Sequence, residues 1–253
     1  MSGRVVFITG AGSGMGQLAA QRALAAGERV IAADVNVVGL DVLGDSPRLL
    51  KLPLDVTDPA AVMQAVKIAH DRFGPMDRII HAAGIMPLGL ALQQDLGLIH
   101  KIMAVNYGGL VNVSRAALPG MLARGRGEFV GFSSMAGHFP ILYMAAYSAS
   151  KFAVTAFTEV LFHENKGHGV RFACVCPPAV ATPLLKQAVD SVWPKMFDVL
   201  PVIAPDAVLD KVDVALARGE FWVFPNVMTR VSYVLRRWAP NLAWWVVHKV
   251  EGR

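Results

Sequence analysis

The sequence predicts an α/β fold, a doubly wound parallel sheet of about seven strands in the order 3-2-1-4-5-6-7 with helices on both faces. Three observations predict it. Short β-branched runs alternate with longer stretches of helical periodicity. A glycine turn joins the first such run to the first helical stretch. Hydrophobic residues make up 54% of the chain and charged residues 17%, enough apolar side chain to bury both faces of a sheet and too little charge for a disordered chain.

The elements follow in order. Residues 5–9 (VVFIT) are a short apolar run, the first strand, and residues 14–26 repeat apolar side chains at three- and four-residue spacing, the first helix. The second strand, 30–34, closes on Asp34. The third, 49–55, contains Pro53, which cannot donate to a ladder and so places this strand at a sheet edge. A helix over 59–73, a strand over 78–82 and one long helix over 97–123 come next, then a strand over 128–133, a helix over 144–163 and a strand over 170–176. The last strand is 221–224. No internal repeat, low-complexity tract or Gly/Ser linker interrupts the series, so 1–253 reads as one domain.

The net charge of +5 does not point to nucleic acid, because Lys and Arg are scattered and no stripe of basic and aromatic residues precedes the C-terminal end. Cys174 and Cys176, two apart on an apolar run, project from one strand face as buried thiols of a reducing compartment, and neither CxxC spacing nor a metal site is expected. Residues 4–9 run straight into the glycine turn with no secretory leader, so a cytoplasmic location is expected.

TGAGSGMG, residues 9–16, stands at a strand-to-helix junction, where backbone N–H groups and the helix N-terminus face a pyrophosphate. Gly10, Ser13, Gly14, Met15 and Gly16 are the residues expected to hold it. Asp34, about twenty residues on, is placed to accept from the adenosine ribose hydroxyls and to repel a 2′-phosphate. No Lys or Arg occurs among Ala11, Gly12 and Ser13 or just after Asp34, which favours NAD over NADP. A bare turn-capping role for Asp34 is the alternative. Asp55 and Val56 would bracket the adenine.

Tyr147 and Lys151 of YSASK lie four apart, on one helix face. A free phenol has a pKa near ~10, and lowering it by about three units takes roughly 4 kcal/mol, much of which a nearby ammonium can provide. Ser134, thirteen positions before Tyr147, falls at the carboxyl edge where open α/β sheets bind ligands. Hydroxyls of Ser134 and Tyr147 would stabilise charge on a reacting oxygen.

TGAGSGMG, HAAG at 81–84, Asn106 in MAVNYGG, Ser134, YSASK and PPAVAT at 177–182, taken in this order, resemble the short-chain dehydrogenase/reductase family with its Rossmann-like sheet. The resemblance implies Tyr147 as proton donor and acceptor, Lys151 on the nicotinamide ribose, Ser134 on the substrate oxygen and Asn106 holding a relay water. It places Ala83, Gly84, Pro177 and Thr182 beside the cofactor, Thr182 on the carboxamide. Two departures are His81, where the family has an Asn that supports the central strands, and Pro178, where it has Gly. The first leaves the fold intact and the second stiffens the loop. Residues 183–205 match the family's substrate lid, and with Met135, His138, Ile141, Tyr143 and Met144 they suggest an apolar pocket for a hydrophobic alcohol or ketone of steroid, lipid or aryl type; the alternative is that the lid side chains simply pack onto the core, and for His138 that it faces solvent. An NADPH-dependent carbonyl reductase and a non-catalytic NAD-binding scaffold are the alternatives. A homodimer or homotetramer is expected. The tail, 226–253, repeats Val227, Val231, Val234, Leu235 and Trp238 at helical spacing beside Arg230, Arg236, Arg237 and Lys249. It would lie on its own subunit, on a partner subunit or on a membrane surface.

Overall fold

The computed structural model describes residues 3–252, and Met1, Ser2 and Arg253, at the ends of the expected domain, lie outside them. The described residues form a seven-stranded sheet: β1 (Val5–Thr9), β2 (Arg29–Asp34), β3 (Leu49–Pro53), β4 (Arg78–His81), β5 (Gly127–Phe132), β6 (Val170–Val175) and β7 (Trp222–Val223). Every neighbouring pair is parallel, in the order β3-β2-β1-β4-β5-β6-β7. Pro53 closes the edge strand opposite Asp34, the position where a missing N–H costs least.

The helices are α1 (Gly14–Ala25), α2 (Val37–Asp41), α3 (Pro59–Phe73), α4 (Leu96–Met103), α5 (Gly109–Arg124), α6 (Ala145–Glu164), α7 (Pro183–Val189), α8 (Met196–Val199), α9 (Pro205–Arg218), α10 (Val227–Trp238) and α11 (Pro240–Glu251). Successive strand side chains point to opposite faces. Val5, Phe7, Ile31, Ile79 and Phe129 therefore pack with Val62 of α3, Val113 of α5 and Val154 of α6. Val6, Ile8, Val30, Ile80 and Val130 pack with Ala20 of α1 and Val212 of α9. Burial on both faces is why the strands read as continuous apolar runs.

The single helix expected over 97–123 is found: α4 and α5 run on continuously from Leu96 to Arg124 through one π-helical turn, Ala104–Gly108, that was not expected. The apolar period runs through that turn, so the pattern hides it, and a π-turn inside a helix frequently marks a functional position. Ser134 stands two residues past β5, just ahead of a tight turn over Met135–Gly137, rather than at the strand's end. A third apolar cluster above the carboxyl edge joins Met86, Ile141, Met144 and Tyr147 to Met196 and Phe197 of the 183–205 segment and to Val247 of α11.

The tail forms the helix pair α10 and α11, and no helix among the described residues is long and apolar enough to cross a membrane. Asn226 caps α10 by accepting from Thr229 N at 2.9 Å. Met196 N donates to Glu251 Oε1 at 3.0 Å, tying the end of α11 to the start of α8.

Candidate active site

At the carboxyl end of β1, Gly10 takes φ +72, and a Cβ there would stand 2.6 Å from Ala83 N. A Cβ on Gly16 would collide with Gly10 O, so α1 approaches the loop this closely only because Gly16 has none. Ser13 precedes α1 in extended conformation without a side-chain cap, and the first turn carries no acidic residue. The first N–H groups of α1, with Met15 and Gly16 among them, are left for an anion. Gly12 N donates to Asp34 Oδ2 at 2.8 Å and Asn36 N donates to Asp34 Oδ1 at 2.8 Å. The carboxylate thus caps a turn and braces the loop, and its further lone pairs remain for ribose hydroxyls. Asp55, two residues past β3, accepts from Thr57 N, and buried Val56 accepts at its carbonyl from Asn112 Nδ2.

Across the sheet, Tyr147 and Lys151 in the first turns of α6 are both buried. They line one cavity with Ser134, Ala82, Gly84, Met15, Pro177 and Thr182. The walls nearest Tyr147 and Ser134 are apolar, with Met86, Phe139, Ile141, Met144, Leu185 and Phe197. Lys151 Nζ donates to Phe132 O at 2.8 Å and sits 5.7 Å from the Tyr147 ring centroid.

Burial pushes the Tyr147 phenol up to about 12, against the opposing effect of its hydrogen bond with Ser134. Burial likewise holds the Lys151 ammonium down to about 8. The sequence led us to expect Lys151 to lower the phenol. The cost of desolvating a phenolate dominates at Tyr147, and the Lys151 amine is turned toward the Phe132 carbonyl.

Asn106, buried in the π-turn, receives Ile85 N at Oδ1 at 2.8 Å and donates from Nδ2 to Ile85 O and to Ser150 Oγ at 3.0 and 2.9 Å. Both of its donors are engaged in holding the strand-four loop to α6, which leaves only an Oδ1 lone pair for the water expected there. Ser150 Oγ donates on to Tyr147 O at 2.7 Å. Ser133 Oγ bonds Lys151 O at 3.1 Å and Thr155 Oγ1 at 2.6 Å. Sequence reasoning missed these two serines, although Ser150 lies inside YSASK and Ser133 beside Ser134.

His81 Nδ1 pairs with Thr9 Oγ1 at 2.8 Å, bridging β1 and β4 as the expected strand-supporting residue. Its Nε2 is buried without a well-formed hydrogen bond. Burial, with Lys151 nearby, holds the imidazole down to about 3. His138, expected near substrate, is absent from the cavity lining and packs edge-on to Trp222 and Tyr233 with Nε2 3.4 Å from Cys176 Sγ. The aromatic residues of β7 and α10 draw it away. Tyr143 also lies off the lining, at φ 68, and its carbonyl accepts from Gly89 N at 2.9 Å. Cys174 and Cys176 are buried free thiols with sulfurs 4.0 Å apart.

Residues 4–193 match the family model described as short chain dehydrogenase. A "Dehydrogenase/reductase SDR family protein 7-like" of Anopheles gambiae is 31% identical over 265 residues, spanning 98% of this chain and 83% of that protein. The 2-(R)-hydroxypropyl-CoM dehydrogenase of Xanthobacter autotrophicus is 32% identical over 201 residues, spanning 74% of this chain and 78% of that one. A short-chain dehydrogenase/reductase from Burkholderia phymatum, solved in complex with NAD, superposes with a TM-score of 0.83 at 25% identity over 95% of both chains. A family model spanning most of the chain, with relatives aligned almost end to end, agrees with the sheet order and with the loop, hydroxyls and amine gathered at its carboxyl edge: this is a member of the short-chain dehydrogenase/reductase family of oxidoreductases.

Proposed function

We propose that the protein interconverts a hydrophobic secondary alcohol and its ketone with NAD as hydride carrier and Tyr147 as the acid-base group. The observation that carries this reading is that Ser134, Tyr147 and Lys151 line one largely apolar cavity that reaches the glycine loop at Met15.

A dinucleotide suits the residues present. The uncapped N-terminus of α1 suits its pyrophosphate, and Gly10, Ser13, Gly14, Met15 and Gly16 would hold it. Asp34 would take the ribose hydroxyls, Asp55 and Val56 the adenine, and Ala83, Gly84, Pro177 and Thr182 the nicotinamide end. The bound nicotinamide supplies or removes the hydride. Asp34 and the absence of Lys or Arg from both the glycine loop and residues 35–42 support NAD over NADP.

Tyr147, protonated at neutral pH, gives its proton to the carbonyl oxygen during reduction and receives it back during oxidation. Ser134 donates to the same oxygen and fixes its position. Lys151 places a positive charge beside the phenol and would bind the nicotinamide ribose. Asn106 acts through its grip on Ile85 and Ser150, keeping the loop after β4 against α6. The same reading takes 1–253 as one domain, 183–205 as its lid and a homodimer or homotetramer as its assembly. Exposed Leu96, Phe152 and Val160 support subunit contact. A cytoplasmic setting fits the two free thiols.

The test is a panel of hydrophobic secondary alcohols with NAD, followed by NADH absorbance. Tyr147→Phe should lower turnover about 10²- to 10⁴-fold with unchanged circular dichroism. Undiminished turnover would sink the assignment.

A further inference from the structure

α10 is amphipathic, yet it packs on the protein through its polar side. Thr229 is 2% exposed and Tyr233 is half-buried against Trp222 and Phe224, while Val227, Val231, Val234 and Trp238 are 78%, 54%, 46% and 81% exposed. These four share one face at helical spacing. Leu242 and Trp245 of α11 are 50% and 57% exposed, with Lys249 Nζ 4.9 Å from the Trp245 ring centroid. An apolar stripe held outward by the helix's own anchoring calls for an occupant.

Charge says which. Residues 226–253 carry Arg230, Arg236, Arg237, Lys249 and Arg253 against one acidic residue, Glu251, so most of the chain's net charge of +5 falls here. Glu251 is buried and accepts from Met196 N. A second copy docked through this face would bring two tails of like positive charge together. A surface of anionic lipid headgroups complements both the stripe and the exposed Arg230 and Arg237 along one side of it, with Lys249 beside Trp245 on α11.

The position of the stripe adds a route. A second cavity shares Met135, Phe139 and Pro178 with the catalytic one and continues to Met228, Thr229 and Ser232 of α10. We infer that the exposed faces of α10 and α11 seat the protein on an anionic bilayer, and that substrate dissolved in the bilayer enters through the cavity beneath α10. The seat stands independently of catalysis, whereas the route rests on the hydrophobic alcohol reading above.

The test is co-sedimentation of the full chain with vesicles of phosphatidylcholine alone and of phosphatidylcholine with roughly a third phosphatidylglycerol. Wild type should pellet with the anionic vesicles, about tenfold less with the neutral ones, and less as salt is raised. Combining Val231→Ser, Val234→Ser and Trp238→Ser should cut binding at least about tenfold. The same variant should keep its turnover of a short, water-soluble secondary alcohol and lose turnover of a long-chain alcohol presented in vesicles. Wild type left in the supernatant with both vesicles, or pelleting as strongly after the triple substitution, overturns the seat. So does a triple variant that fails to form an oligomer which wild type forms, because the stripe would then be a subunit contact. Equal loss with both alcohols overturns the route, and vesicle binding without turnover of any alcohol overturns the catalytic reading while the seat stands.

Discussion

The two ends of the parallel sheet treat buried cations in opposite ways. At the amino end, Arg78 is bonded to Glu128 at 2.5 Å and to Asp213 at 2.8 Å, and Glu128 also receives Arg4 and Arg171. Burial works against the Arg78 guanidinium, but the two carboxylates more than offset it and its pKa is raised. At the carboxyl end, Lys151 is 4% exposed, donates a hydrogen bond to a backbone carbonyl, and its pKa falls to about 8. Charge at the amino end is neutralised within the fold. At the carboxyl end it is left without a carboxylate partner, at a cost in stability, beside the cavity proposed as the active site.

The sharpest way to break this comparison is to remove one partner at each end. Glu128→Gln should destabilise the protein by about 3 kcal/mol, since it leaves the buried Arg78 half-paired and takes the carboxylate from Arg171, while Arg4 keeps Glu28. Lys151→Met should change stability by less than about 1 kcal/mol, or raise it, because it removes a buried ammonium that no carboxylate offsets. Its turnover should nevertheless drop at least about a hundredfold. Urea unfolding and NADH absorbance on both variants decide it, and a strongly destabilised Lys151→Met would end the distinction.

A second test uses acid. His81 and His138 are held down to about 3 and about 4 by burial. Between those values and the unfolded value of about 6.5, the unfolded chain binds protons that the native state refuses. Stability should therefore fall as pH drops below about 6.5, by up to about 1.4 kcal/mol per pH unit for each histidine. His81→Asn should remove one of the two contributions, visible as a shallower slope in urea midpoints from pH 6.5 to 4.5. An unchanged slope would mean the imidazole is not held neutral.

The smallest effect is expected at the nucleotide loop. Asp34→Ala removes the acceptor of Gly12 N and the carboxylate proposed to repel a 2′-phosphate. The proposed preference for NAD over NADP, measured as a ratio of kcat/KM, should narrow about tenfold. A ratio that stays fixed would relocate the discrimination.

What could be read beforehand follows the range of the physics. Strand runs, the glycine turn and the Tyr147–Lys151 spacing are local, and the edge position of β3 followed from the one missing N–H of Pro53. The π-turn was hidden because apolar spacing continues through MAVNYGG, and what holds Asn106 in place is Ile85 and Ser150, far away in the chain. His138 could not be placed because its neighbours Trp222 and Tyr233 come from β7 and α10. The periodicity of α10 was legible, but which face looks outward depends on Asn226, Thr229 and Tyr233 meeting the rest of the fold.

The parallel order also constrains how the chain can be made. β1 pairs with β2 on one side and β4 on the other. A ribosome delivers β2 soon after β1, but β4 begins only at Arg78. Until then one flank of a strand that is apolar at four of its five positions has no neighbour, and such an edge can recruit strands from other chains. A strand enclosed within the finished sheet is thus an exposed edge in the nascent chain, and slow translation across residues 35–77 would lengthen that exposure.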